Sequence, residues 1–137
     1  MGRTSVTFDV ANNDDLVLES NGHKKPEDVR RLSINGIVDT GATSLVVSRK
    51  VAETLGLRKM GQVMVKYADS RKAVRDIMGD IDVSILGRSG RFTAVIEEDR
   101  PDALIGAVVL ETLDLLVDSK KQCLVPRQAD MIFAELE

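Results

Sequence analysis

The stretch GIVDTGATSLVV, residues 36 to 47, sets one carboxylate, Asp39, between two apolar runs. A positioned carboxylate can take or give a proton, and one withdrawn from water is costly unless its neighbours satisfy it. The residues that follow suit that need. Thr40 offers a hydroxyl, Gly41 lets the backbone turn sharply with its N–H groups toward the acid, and Ala42 keeps the approach open. An ordinary Asx turn between two strands accounts for the same four residues equally well.

No second stretch of this kind occurs. Asp118 is followed by Ser119 but then by Lys120, and Asp114 by Leu115. Other chemistries find little support. His23, the only histidine, sits in a polar loop without Cys, Asp or His at ligand spacing, so no metal site is expected. Cys123 is the single cysteine, which rules out an intrachain disulfide and reads as a half-buried structural thiol. The net charge of −3 argues against nucleic acid as a partner, and the pairs Lys24-Lys25 and Arg30-Arg31 read as solvated loop charges. No apolar run reaches the length of a membrane span, and neither a secretory nor a myristoylation pattern opens the chain. The expectation is a cytoplasmic protein of one domain, residues 1 to 137, with no cofactor.

The elements that must position Asp39 follow from periodicity. Aromatics are scarce, so Val, Ile and Leu must build the core, a composition that favours strands. Val6, Phe8 and Val10 alternate as a strand, ANNDD reads as a turn, and Leu16-Val17-Leu18 as a short second strand. Residues 19 to 31 read as an exposed loop. Leu32, Ile34, Gly36 and Val38 share one side of a strand ending at Asp39, and Leu45–Val47 continues beyond it. Ser48 caps a helix closed by Gly56. Val63, Val65 and Tyr67 form a strand, Ala68-Asp69-Ser70-Arg71 a turn, and Ile81, Val83 and Ile85 the next strand. Gly87-Arg88-Ser89-Gly90 reads as a tight turn into Phe92, Ala94 and Ile96. After the charged loop 97 to 102, Ala103–Val117 divides into strand, Gly106 turn, short helix and strand, with Leu124–Pro126 a last strand.

Asp-Thr-Gly-Ala between two apolar runs, with Leu104-Ile105-Gly106 downstream, resembles the active-site loop and following strand of the retropepsin-like aspartic proteases. SRKVAETLGL resembles the helix after that loop in bacterial members, YADSR the flap hairpin, and LIGAVVLETLDLLVD with LVP the final helix and strands. The resemblance implies an all-β closed barrel or sandwich with one or two short helices, forming half of a pepsin-type two-fold enzyme. It implies an endopeptidase in which Asp39 is catalytic. Two Asp39 carboxylates, one from each chain of a homodimer, would activate a water between them. Thr40 would bond across the two-fold axis, Gly41 would present backbone to the peptide, and Ala42 would complete the loop. Ala68, Asp69, Ser70 and Arg71 would close over the bound peptide. Two departures bear on this. The turn is polar where retroviral flaps are Gly-rich, which implies a stiffer flap. Ala107 stands where retroviral enzymes carry a dimer-bracing Arg, so the tail from Gln128 is a candidate brace, or else packs on its own subunit. The alternative function is a catalytically silent dimerisation or peptide-binding module on the same fold.

Overall fold

The computed structural model describes residues 3–136. Strand β1 (Ser5–Asn12) pairs antiparallel with β2 (Arg31–Val38), from Ser5 opposite Ile37 to Ala11 opposite Arg31. Then come β3 (Leu45–Ser48), β4 (Arg58–Lys66), β5 (Lys72–Ile85), β6 (Arg88–Glu97) and β7 (Ala103–Ile105). In the sheet the order is β1-β2-β7-β3-β6-β5, and a second pairing of β1 with β5 closes it into a six-stranded barrel. Strand β5 makes the closure possible because it is long enough for two partners. Its first half pairs with β4, and Ile81–Ser84 pair with β1. Closure leaves few unpaired edges, and β4 with the first half of β5 projects as a hairpin.

The barrel is filled as the composition demands. Leu45, Val47, Ile81, Val83, Ile96 and Ile105 are buried, and Phe8 and Phe92 are the buried aromatics among the described residues. The face alternation of β2, β5 and β6 matches the sequence pattern, since a strand turns successive side chains to opposite faces.

Three short helices pack on the barrel rather than one or two: α1 (Asn13–Ser20), α2 (Arg49–Leu55) and α3 (Ala107–Leu113). Helix α1 replaces the expected turn and short strand. The Asn12 side chain accepts a hydrogen bond from Asp15 N at 3.0 Å and starts the helix. Val17 and Leu18, which suggested a strand, are exposed, while Asp15 is buried. Helix α2 follows the expected bounds, with Ser48 Oγ accepting from Val51 N and Gly56 closing it in the left-handed region at φ +64°.

Asp15 knots these parts together. Its carboxylate accepts from Arg30 N, Nε and Nη2 at 3.0, 2.9 and 3.0 Å, and from Lys24 Nζ at 3.0 Å. Asn12 Nδ2 donates to Leu55 O at the end of α2. The loop 19 to 31 is exposed as expected over much of its length, with a 3₁₀ turn at Pro26–Asp28, but Arg30 fastens its end.

After α3 a separate hairpin forms from β8 (Leu115–Asp118) and β9 (Cys123–Pro126). The tail then docks on its own chain. Arg127 Nε and Phe133 N both donate to the buried Asp114 carboxylate, and Arg88 donates to the carbonyls of Leu113, Asp114, Gln128 and Met131. Among the described residues, no helix is long and apolar enough to cross a membrane.

Candidate active site

Asp39 stands just past the end of β2, where the barrel opens. Strand β7 lies between β2 and β3, parallel to the first (Val38 opposite Ile105) and antiparallel to the second (Val46 opposite Leu104). Asp39 N donates to Ile105 O at 3.0 Å, so the triplet Leu104-Ile105-Gly106 anchors the catalytic candidate through its backbone.

The loop is then held from beneath by α3. The first N–H groups of a helix lack partners within it. Here Ala107 N donates to Ala42 O at 2.8 Å and Val108 N to Thr43 O at 2.9 Å. This approach needs a residue without Cβ at position 106, for a Cβ there would overlap the Ser44 carbonyl oxygen and come within 2.7 Å of Thr43 C. Gly106 therefore lets the helix end meet the loop.

Within the loop, Gly41 N donates to Asp39 Oδ1 at 2.9 Å and Ala42 N to Asp39 O at 3.2 Å. The backbone turn expected of Gly41 is present. Asp39, Thr40 and Gly41 are exposed and Ala42 is half-buried. The carboxylate is thus oriented but still open to solvent in a single chain. Among the described residues the loop brings no second acid beside it: the Asp114 carboxylate is taken by Arg127 and Phe133 N, and Asp118 Oδ1 accepts from the amides of Lys120 and Lys121.

A row of apolar side chains runs outward from the loop. Cross-strand register puts Ile37 beside Leu104, Leu104 beside Val46, Val46 beside Val95, and Val95 beside Ile77. All five are half-buried, whereas neighbours such as Leu45, Val47, Ile96 and Ile105 point into the core. The row lies on the outer face of five adjoining strands and leads from the Asp39 strand to the base of the β4–β5 hairpin. Local periodicity does not reveal the row, because it is assembled across five separate strands, and Ile37 and Val95 are the outward residues of strands read for their inward ones.

The hairpin tip is the expected turn. Tyr67 N donates to Arg71 O and Ser70 N to Tyr67 O, with Ser70 at φ +70°. Asp69 locks the tip by accepting from Arg71 N at 3.1 Å and Arg71 Nε at 2.7 Å, and the Arg71 guanidinium lies 4.9 Å from the centre of the Tyr67 ring. Ala68, Asp69, Ser70 and Arg71 are all exposed. The Arg71 hydrogen bonds hold the Asp69 carboxyl below its usual range. Structure and sequence thus agree on a polar tip fixed by its own side chains.

The hairpin arms are tied to the barrel by groups the sequence did not single out. Arg49 at the start of α2 donates to Asp76 at 2.9 Å and to Glu98 at 2.8 Å, and Lys59 lies 3.3 Å from Asp76. The Arg49 bond lowers the Asp76 carboxyl to about 2, with Gln62 adding to it. On the other face the Tyr67 hydroxyl donates to Glu97 Oε1, which also pairs with Arg75 Nε at 3.2 Å. No local motif signals these contacts, since they join residues 14 to 49 positions apart.

His23 is exposed, and among the described residues no group of three or more His, Cys, Asp or Glu side chains could hold a metal ion. Cys123 is half-buried in β9. Among the described residues, depressions lined by Asp9, Asp82 and Ser89 and by Ile34, Ser48 and Arg100 do not include Asp39, and another is lined by Gly36 and Ile37 of the Asp39 strand but not by Asp39 itself.

Comparison with known proteins agrees with this geometry. A sequence model described as aspartyl protease matches residues 21–109, a span that holds both the Asp39 loop and the Leu104-Ile105-Gly106 triplet. The Protein DDI1 homolog of Leishmania major is 24% identical over 103 residues, covering 72% of this chain but 26% of that protein. The chain therefore spans about a quarter of the length of that curated relative. Among solved structures, the EIAV protease in complex with the inhibitor HBY-793 matches with a TM-score of 0.58 and 17% identity, over 82% of this chain and 88% of that one. The retroviral protease-like domain of Ddi1 from Leishmania major matches with a TM-score of 0.54 and 19% identity, over 96% of this chain and 95% of that one. The barrel is a retropepsin-like fold, and the chain belongs to the aspartyl protease family.

Proposed function

We propose that this protein is an aspartic endopeptidase that works as a homodimer, each chain contributing one Asp39. The observation that carries the reading is a single, well-oriented carboxylate, exposed at the barrel mouth, in a chain with one acid loop of this kind. A two-fold axis beside Asp39 would bring its partner opposite. Two carboxylates that close cannot both ionise, so the pair holds one proton between them and titrates as a unit.

The ionised member takes a proton from a water held between the two acids, and the resulting hydroxyl attacks the peptide carbonyl carbon. The protonated member gives its proton to the carbonyl oxygen, and a tetrahedral intermediate forms. Return of a proton to the amide nitrogen lets the C–N bond break, giving a carboxylic acid and an amine. Gly41 N, already bonded to Asp39 Oδ1, holds the carboxylate in place through this cycle. The exposed Thr40 hydroxyl would bond to the partner's loop and keep the two acids nearly coplanar.

The substrate is an extended peptide. The apolar row Ile37–Leu104–Val46–Val95–Ile77 offers apolar side-chain contacts beneath it, and the β4–β5 hairpin, with residues 68–71 at its tip, closes over it. With Ala107 in place of an arginine, the dimer takes its brace elsewhere. Leu116 of β8 and Met131, Ile132, Phe133 and Leu136 of the clasped tail are exposed large apolar groups that would gain from burial by a second copy. A single half-buried thiol and no need for a disulfide suit a reducing compartment such as the cytoplasm.

The test is to mix wild type with Asp39→Asn at fixed total concentration and follow peptide cleavage. If each dimer needs two Asp39 carboxylates, an equal mixture retains about a quarter of the wild-type activity, because only that share of randomly paired dimers is intact. Activity falling in simple proportion to the wild-type fraction would show that one chain suffices and would overturn the reading. A dimer that cleaves nothing would favour the silent binding module, to which the polar hairpin tip also points.

A further inference from the structure

The β4–β5 hairpin ends in an arrangement that its fold does not require. Tyr67, the last outward residue before the tip, reaches Glu97 at the end of β6 through its hydroxyl. Glu97 also pairs with Arg75 on β5 at 3.2 Å, and the Arg75 and Arg71 guanidinium groups lie 5.9 and 4.9 Å from the centre of the Tyr67 ring. Tyr67, Arg75 and Glu97 are all half-buried. Glu97 stands two residues beyond Val95, and Arg75 two before Ile77, so the cluster occupies the same outer face as the apolar row. Ala73 carries only a methyl group, which leaves room for the Tyr67 ring to cross the hairpin.

We propose that Glu97 is a positioning residue: through Tyr67 and Arg75 it braces the hairpin against the barrel wall and fixes its seat over the end of the peptide groove. The role in peptide binding rests on the protease reading above; the brace itself does not. Without it the hairpin's outer half would be joined to the barrel chiefly by backbone pairing with β5 and by the Arg49 contacts on the opposite face. The brace is a preorganised seat, and binding to a preordered flap costs less conformational entropy. Glu97 touches neither the reacting atoms nor Asp39, so its loss should act on binding more than on the chemical step.

Tyr67 is the only tyrosine and there is no tryptophan, so the phenol's own absorbance reports on this one site. The hydrogen bond to Glu97 raises the Tyr67 phenol above its ordinary range; burial adds to this and Arg75 opposes it. The charged groups around the ring are Glu97, Arg75 and Arg71, the last paired with Asp69.

The experiment is a phenolate absorbance titration of the full chain, with folding followed by circular dichroism. Wild type should titrate above about 10, the ordinary tyrosine value, and Glu97→Ala should move the midpoint down toward it. Glu97→Gln, which keeps an acceptor but loses the charge, should fall between the two and serves if the alanine variant does not fold. Equal midpoints in wild type and variants would overturn the brace. The kinetic arm compares Tyr67→Phe, Glu97→Ala and the double variant. Each single change should raise KM by roughly tenfold or more with kcat within about twofold, as expected for loss of one charge-assisted hydrogen bond. The double variant should be no worse than the poorer single one. Multiplying effects would overturn the shared role. If the wild type cleaves no peptide, the protease reading and the positioning role fall together, while the titration still decides the brace.

Discussion

Replacing Gly106 with alanine should unseat the Asp39 loop. The added methyl would meet backbone, the Ser44 carbonyl oxygen, Thr43 C at 2.7 Å and Ser44 N at 2.8 Å, rather than the movable end of a side chain. Strand β7, which ends one residue before position 106, is wedged between β2 and β3, so relief must come from moving α3 or the loop. Overpacking costs about 1–3 kcal/mol. Moving α3 also breaks the hydrogen bonds from Ala107 N and Val108 N to the loop, at about 1 kcal/mol each. The sum is about 3–5 kcal/mol, a large share of the roughly 5–15 kcal/mol that holds a domain folded. Urea unfolding should show a lower midpoint with an unchanged slope, and hydrogen exchange should show the Ala107 and Val108 amides losing protection. A variant within about 0.5 kcal/mol of wild type, with both amides still protected, would refute the claim that Gly106 is what lets α3 support the loop.

Other expectations test other links. Gly41→Ala should leave stability within about 1 kcal/mol, because its new methyl would meet only Asp39 Oδ1, at 3.3 Å; peptide cleavage should nevertheless fall at least tenfold, and a fully active variant would contradict the expectation that Gly41 presents its backbone to the peptide. Asp15→Ala removes a buried carboxylate but leaves Arg30 half-exposed and able to hydrate, so the cost should be about 2–3 kcal/mol by calorimetry. Arg88→Ala should release the tail, seen as faster hydrogen exchange across residues 128–133 with the barrel amides unchanged. Acid should weaken the fold through lowered carboxylates. Arg30 holds Asp15 well below the usual range, and Arg49 holds Asp76 at about 2. A lowered folded pKa gives stability that is complete above the unfolded value near 4 and drains away as pH falls below it. Asp15→Asn should therefore lose less stability than wild type between neutral pH and about pH 3, as measured by denaturation at each pH.

Much of the architecture is legible in the sequence where local pattern and local chemistry coincide. The Asp39 loop, the Ser48-to-Gly56 helix, the 68–71 tip and the Gly106 break are each announced by a few adjacent residues whose physical roles the structure repeats. What was misread turns on side-chain partners that a pattern of apolar residues does not weigh. Leu16-Val17-Leu18 looked like a strand because three apolar residues adjoin, but Asn12 caps a helix there and Arg30 binds the Asp15 it buries. Gly90 looked like part of a turn, yet Leu86 and Gly87 make the turn and Arg88–Gly90 already belong to β6; Gly90 is small because the Phe92 ring and Leu113 lie close to it. The barrel's closure was also hidden, since β5 must serve β4, β6 and β1 along its length. The exposure of Asp39 was also not foreseen from its apolar flanks, which belong to the strands on either side rather than to the carboxylate.

The most direct test of the central claim is cleavage of a mixed peptide library by wild type and Asp39→Asn, read by mass spectrometry from acid to neutral pH. Asp39 is exposed and accepts one local hydrogen bond, from Gly41 N, so the asparagine variant should fold like the wild type. Cleavage by the wild type alone, at bonds flanked by apolar residues, is the predicted result. Equal cleavage by both proteins, or none by a wild type confirmed as a dimer, would contradict it.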